Sequence, residues 1–180
     1  MNTCFPSTVA FAATFFMLTG CAAPKVEPPK VASALQVPAG QTVALHTFAT
    51  GVQIYTCNLR AEDKTRAEWT FTAPEATLFD AGGKQIGKHY AGPTWESKDG
   101  SLIVGALVAR DDGPDNKSIP WLLLKAKSSS GNGVFTQTQS IQRVNTVGGK
   151  APPAGCEPDM VGKEVRVPYT AHYFFYGPAR

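Results

Sequence analysis

At 180 residues, with 43% hydrophobic and 10% aromatic side chains, the chain has enough apolar surface for one core and little room for a second. Its formal net charge of +3 comes from Lys and Arg scattered along the sequence, without the basic stripe that marks nucleic-acid binding, so that class of partner is excluded. The 17 glycines and 14 prolines favour a turn-rich architecture over a helical bundle.

The chain opens on an export signal. Residues 9–19 (VAFAATFFMLT) form an uncharged apolar run, too short to span a bilayer and of the length of a signal-peptide h-region. The run leads into LTGC (18–21), which resembles the bacterial lipobox. Leu18 takes the hydrophobic position, Thr19 and Gly20 are small, and Cys21 is the residue that carries the lipid and becomes the new N-terminus. The n-region MNTCFPST has no Lys or Arg, a departure from the usual basic start. Residues 1–20 are therefore read as a lipoprotein signal peptide. Two or more acyl chains give stable anchoring where one gives only marginal binding. The mature protein is expected to be exported and membrane-anchored at the cell envelope through Cys21. Ala22 stands where an aspartate would signal inner-membrane retention, which points to the outer membrane, facing the periplasm.

Residues 21–36 are read as the lipidated cysteine and a Pro-rich tether, with Pro24, Pro28 and Pro29 and no aromatic residue. At roughly 3 Å per residue the tether would reach on the order of 45 Å. Of the four cysteines, Cys4 leaves with the signal and Cys21 takes the lipid. Cys57 and Cys156 remain as an even pair in an oxidising compartment, which predicts a disulfide.

From residue 37 to 180 a single β domain is expected, because apolar residues recur with period two. VRVPYTAHYFFY (165–176) alternates Val165, Val167, Tyr169, Ala171, Tyr173 and Phe175 against a more polar face. VFTQTQSIQRVNT (134–146) has the composition of a strand with one wet face, while SLIVGALVA (101–109) and IPWLLLKA (119–126) read as strands buried on both faces. DAGGK (80–84), KDGS (98–101) and SSGNG (129–133) supply turn residues between them. EPDMVGKE (157–164) offers a short helix at most. About nine or ten strands are predicted, in a mostly antiparallel sandwich or barrel with little helix, and periodicity does not choose between those two.

No dinucleotide fingerprint, phosphate-binding loop, nucleophile elbow or HExxH motif is present, so no cofactor is expected. His46, His89 and His172 lack metal-ligand spacing, and no metal site is expected either. The densest local cluster is GKHYAGPTW (87–95). His89 could titrate near neutrality, and Tyr90 and Trp95 could stack on a flat ligand such as a sugar ring. Equally, the stretch reads as a strand end, a Gly-Pro turn and the start of the next strand. Glu96 and Asp99 are candidate carboxylate partners for His89. In SIQRVNTVGGKAPPAGC (140–156), Arg143 and Asn145 share a predicted face with Ile141. Arg143 could clamp a carboxylate or phosphate, or pair with a buried acid to hold the following loop. His172 is read as packing.

GVQIYTC, WTFTAPEATLFDAGGKQIGKHYAGPTWESKDGSLIVG, IPWLLLKAKSSSGNGVFTQTQSIQRVNTVGGKAPPAGC and VPYTAHYFFY, in that order from about Val37 to Tyr176, resemble domain-of-unknown-function family 3455. The resemblance implies a secreted, β-rich domain and supplies no catalytic residues. A malate-dehydrogenase label attached to some relatives would need a βα alternation that is missing here.

The expectation is an envelope lipoprotein with a non-catalytic binding module. Its partner would be a glycan, another small molecule or an envelope protein, met by His89, Tyr90, Trp95 and Arg143. The alternative is a secreted hydrolase or isomerase with His89 as catalytic acid/base.

Overall fold

A computed structural model describes residues 26–179; the expected signal peptide, Cys21 and the first residues of the tether lie outside them. Eight strands follow in chain order: β1 (Gln41–Leu59), β2 (Ala67–Phe79), β3 (Gln85–Tyr90), β4 (Thr94–Ser97), β5 (Leu102–Asp111), β6 (Trp121–Ser130), β7 (Ser140–Gly148) and β8 (Glu164–Pro178). Each pairs antiparallel with the next, and β8 returns to β1 from Gln41↔Pro178 to Thr56↔Glu164, closing the sheet into a barrel. The helical pieces among the described residues are two 3-10 turns, Ser33–Leu35 and Pro158–Met160.

The period-two pattern thus reads out as an all-β antiparallel fold, and closure selects the barrel. The strand count is eight, not nine or ten, and 134–139, read as the start of a strand, forms the connection before β7. An eight-stranded barrel is just wide enough to be filled by its own side chains or to hold one small ligand. Here Trp95, Ile103, Phe135, Ile141 and Phe175 fill most of it. Tight coiling of β1 on β2 depends on Gly51: a Cβ there would sit 2.1 Å from the Glu75 carbonyl oxygen.

The two ends differ. At the base, the 131–139 connection inserts the fully buried Phe135 beneath the core. Asp99 holds it in place: its carboxylate accepts from the Val134 amide (2.8 Å), the Ser101 amide (2.8 Å) and the Ser101 hydroxyl (2.6 Å). These hydrogen bonds, that from Ser101 first, hold the Asp99 carboxyl down at about 2. At the mouth gather the connections 60–66, 91–93, 112–120 and 149–163. The predicted disulfide Cys57–Cys156 lies here and ties the end of β1 to the longest of them.

Two local expectations need correction. Segment 101–109 is not buried on both faces: Leu107 and Val108 are exposed, because no second layer covers this part of the wall. Conversely, β7 has no wet face from Ser140 to Val144. Its outer side lies under the end of the segment read as a free tether. Leu35 is fully buried, its carbonyl accepts from Gln142 Nε2 at 2.6 Å, and Val31 and Val37 pack on Phe174 and Tyr176. The Val-Ala-Ser-Ala-Leu stretch carries enough apolar surface to dock, so the later tether residues form a strap on the barrel.

Candidate functional site

The mouth is shaped by one short hairpin. β3 has six residues and β4 four, beside thirteen in β2 and ten in β5. β3 pairs with β2 only over Ala76–Phe79, and β4 with β5 only over Leu102–Val104. The mouth-side halves of β2 and β5 therefore face each other across a notch in the barrel wall. Pro74, which has no amide hydrogen to donate, lies on the β2 side of this notch, where no strand needs one. Phe71 (51% exposed) and Leu107 (59%) form its apolar rim.

GKHYAGPTW builds the lower edge. Its turn residues Ala91–Pro93 line the opening, with Gly92 at φ 132° and the Thr94 hydroxyl donating to the Ala91 carbonyl at 2.9 Å. Strand alternation then separates the aromatic residues. His89 and Trp95 pair across the strands, both inward, with ring centroids 4.4 Å apart and planes 14° from parallel. Tyr90 points outward, donates to Glu96 Oε2 at 2.8 Å and lies under Lys88, whose ammonium is 3.2 Å from Glu96. Tyr90 and Trp95 therefore cannot clasp one ligand, and Tyr90 lies away from the cavity.

Behind the notch is a cavity of about 250 Å³ whose wall is mostly apolar: Phe71, Pro74, Pro93, Leu107, Leu122 and Leu124, with His89, Trp95, Tyr173 and Arg143 at its inner side. A second recess of about 320 Å³ shares Phe71, Leu122 and Arg143 with it and adds Gln53, Tyr55 and Arg110. Three predicted site residues, His89, Trp95 and Arg143, thus converge on one concavity.

Arg143 is only 8% exposed. Its Nε and Nη2 both donate to the Pro120 carbonyl, at 3.2 and 2.8 Å. No carboxylate pairs with it among the described residues, and none lines either recess. The anticipated pairing with a buried acid to hold the following loop is not found among the described residues; Arg143 instead holds the end of the 112–120 connection, through a backbone carbonyl. Tyr55, His89, Tyr169 and Tyr173 are near enough to feel its charge. Several buried polar atoms around it have no hydrogen-bond partner: Gln53 Nε2, Trp95 Nε1 and the hydroxyls of Tyr169 and Tyr173. The two hydroxyls approach each other, Gln53 and Arg143 without closing to hydrogen-bond geometry. Burial pushes both phenols upward, so they stay protonated donors.

His89 is placed for packing more than for proton transfer. Its Nδ1 lies 2.8 Å from the Thr94 carbonyl, an acceptor, which sets the proton on Nδ1 and leaves Nε2 as the acceptor. Burial, reinforced by the Arg143 charge, lowers its pKa to about 3. A general acid or base works best near the operating pH, and this imidazole is neutral there. Neither candidate carboxylate orients it: Glu96 is engaged on the outer wall and Asp99 at the base.

The remaining candidates lie elsewhere. Asn145 does not share the Arg143 face, because a bulge between Val144 and Val147 turns it outward at φ 50°. It stands beside His172, whose Nδ1 is 3.3 Å from His46 Nε2 on the outer wall, among Phe48 and Phe174. Burial lowers the pKa of both histidines. The sequence reading missed Gln53, Tyr55, Phe71 and Arg110 and took Tyr169 and Tyr173 as core. For Gln53 a signal existed, a polar residue on the inward phase of β1.

Residues 38–177 match a family model described as a protein of unknown function (DUF3455). No curated protein matches the chain.

Proposed function

The chain belongs to the DUF3455 family, whose description carries no activity, and from the geometry of its barrel mouth we propose that it is a non-catalytic small-molecule-binding module of a cell-envelope lipoprotein. The observation that carries the reading is the convergence of His89, Trp95 and Arg143, distant in sequence, on one notched cavity. Unpartnered buried donors beside that cavity support it, since buried polar groups in native proteins are nearly always satisfied. Ligand sites of this kind combine an apolar lining with a few convergent polar groups.

A glycan fits this site poorly. Sugar recognition needs an accessible aromatic face, whereas Trp95 is 1% exposed and has a face against His89. A protein partner would need a broad surface, whereas the convergent residues line a recess of about 250 Å³. Catalysis by His89 lacks a partner carboxylate and a pKa near neutrality. The lipid anchor on Cys21 and the outer-membrane location remain part of the proposal.

Thermal denaturation against small neutral and charged apolar molecules tests the binding reading. A ligand at a hundred times its Kd stabilises by about 2.7 kcal/mol, which at this size raises Tm by roughly 5–10 °C. Filling the cavity with Leu124→Trp should abolish the shift in a protein that still folds. Flat melting curves throughout, or shifts unchanged in Leu124→Trp, would reject it. Fatty-acid labelling lost on Cys21→Ser tests the anchor.

A further inference from the structure

We infer that the ligand is a small carboxylate with an apolar body, its charge held by Arg143 and its body lying in the notch cavity. This rests on the binding reading above and deepens it.

The inference starts from an uncompensated charge. A guanidinium does not give up its proton in a protein, so Arg143 is cationic whatever its surroundings. Burying a charge is costly unless it is paired. Yet this side chain is 8% exposed and has no carboxylate partner among the described residues. The Pro120 carbonyl occupies Nε and one Nη2 hydrogen. That contact uses one edge of the fork and fixes its orientation. The opposite edge, with the Nη1 hydrogens and the second Nη2 hydrogen, retains the parallel donors that fit a carboxylate bidentately.

The neighbours carry the same preference. Gln53 Nε2 at the second recess and the Tyr173 hydroxyl at the cavity are unpartnered and can each donate. No Asp or Glu lines either recess, and the other charged residue there is Arg110 at the second recess, paired with Asp112 at 3.4 Å. A single uncompensated cation fits one negative charge, which favours a carboxylate over a phosphate dianion.

The body follows from the lining. An apolar cavity of roughly 150 Å³ accepts benzene, and this one is about 250 Å³ with a predominantly apolar wall and an exposed apolar rim at Phe71 and Leu107. It suits a medium acyl chain or an aromatic ring with a short substituent.

Octanoate, octanol and octylamine share one body and differ in head group, so calorimetric titration of the full chain with all three is decisive. Octanoate should bind on the order of ten- to a hundred-fold tighter than octanol, the usual gain from a charge-assisted bidentate contact. Octylamine should bind weakest. In Arg143→Met the advantage of octanoate over octanol should vanish. Arg143→Lys, which keeps the charge without the fork, should retain a reduced preference. The comparison in the unaltered protein needs neither variant to fold. Equal binding of octanoate and octanol, or preference for octylamine, overturns the carboxylate assignment and leaves the cavity reading standing. Failure of all three to bind overturns both.

Discussion

Acidification gives the sharpest test of His89 as a buried packing residue rather than an acid/base group. Its folded pKa is about 3, against an ordinary value of 6.5, with burial the main cause. The unfolded chain therefore binds more protons than the folded one between those values, and stability falls as pH drops through 6.5. At pH 5 the imidazole of the unfolded chain is almost fully protonated while the folded one is not. The cost is about 1.4 kcal/mol per pH unit over 1.5 units, or about 2 kcal/mol relative to pH 8. Urea unfolding at pH 8 and pH 5 measures it. The comparison protein is His89→Asn, whose amide can still donate to the Thr94 carbonyl but does not titrate. Its baseline stability should be lower, because the stack on Trp95 is lost, but its pH-dependent loss should be about 2 kcal/mol smaller than that of the unaltered protein. His46 and His172, also lowered by burial, lie on the outer wall and contribute equally to both proteins. Equal pH-dependent losses in the two proteins would refute the reasoning and return His89 to the titrating groups near neutrality, where catalysis could use it.

Replacing Cys57 and Cys156 by Ser opens a loop of sequence separation 99 at the mouth, and calorimetry should show a loss of about 2–5 kcal/mol. A loss under about 1 kcal/mol would mean that Tyr55 and its neighbours hold the 149–163 connection without the bridge. Leu35→Ala should cost about 2–4 kcal/mol, as for any fully buried leucine, and should open residues 26–36 to proteases; an unchanged Tm would show that the strap does not dock. Gly51→Ala drives a Cβ into the Glu75 carbonyl. It should destabilise by roughly 3 kcal/mol or more, seen as a collapse in soluble yield or Tm, and near-neutral behaviour would contradict the close β1–β2 packing.

Fold class was legible because a barrel wall repeats a simple rule. In β8, Tyr169, Ala171, Tyr173 and Phe175 all turn inward as their period requires, and GKHYAGPTW reads as the strand end, turn and strand start that it forms. What period two does not carry is whatever covers the outer face. Gln142 is buried against a strap more than a hundred residues away in sequence, and no local pattern reports it. The site was half legible for a related reason. His89 and Arg143 stand out as rare chemistry on apolar strands, but their meeting is a consequence of closure. Tyr169 and Tyr173 were hidden in the opposite sense. An inward tyrosine looks like core until its hydroxyl is seen to lack a partner. Asn145 was misplaced by the one event that breaks alternation, a bulge in β7.

The position of the cavity follows from hairpin length. The base is sealed because the 131–139 connection is long enough to insert Phe135 and Asp99 ties it down. The mouth is open because the chain turns at Ala91–Pro93 after only six residues of β3. A hairpin several residues longer would continue pairing along β2 past Pro74 and along β5 past Gly105. It would meet a proline with no amide hydrogen to offer and a bulge at Val108. Both flanking strands are thus unsuited to a partner where the notch lies, so the opening belongs to three separate segments and not to one short turn. The same nine residues that place His89 and Trp95 on the cavity floor also set the lower lip of its entrance.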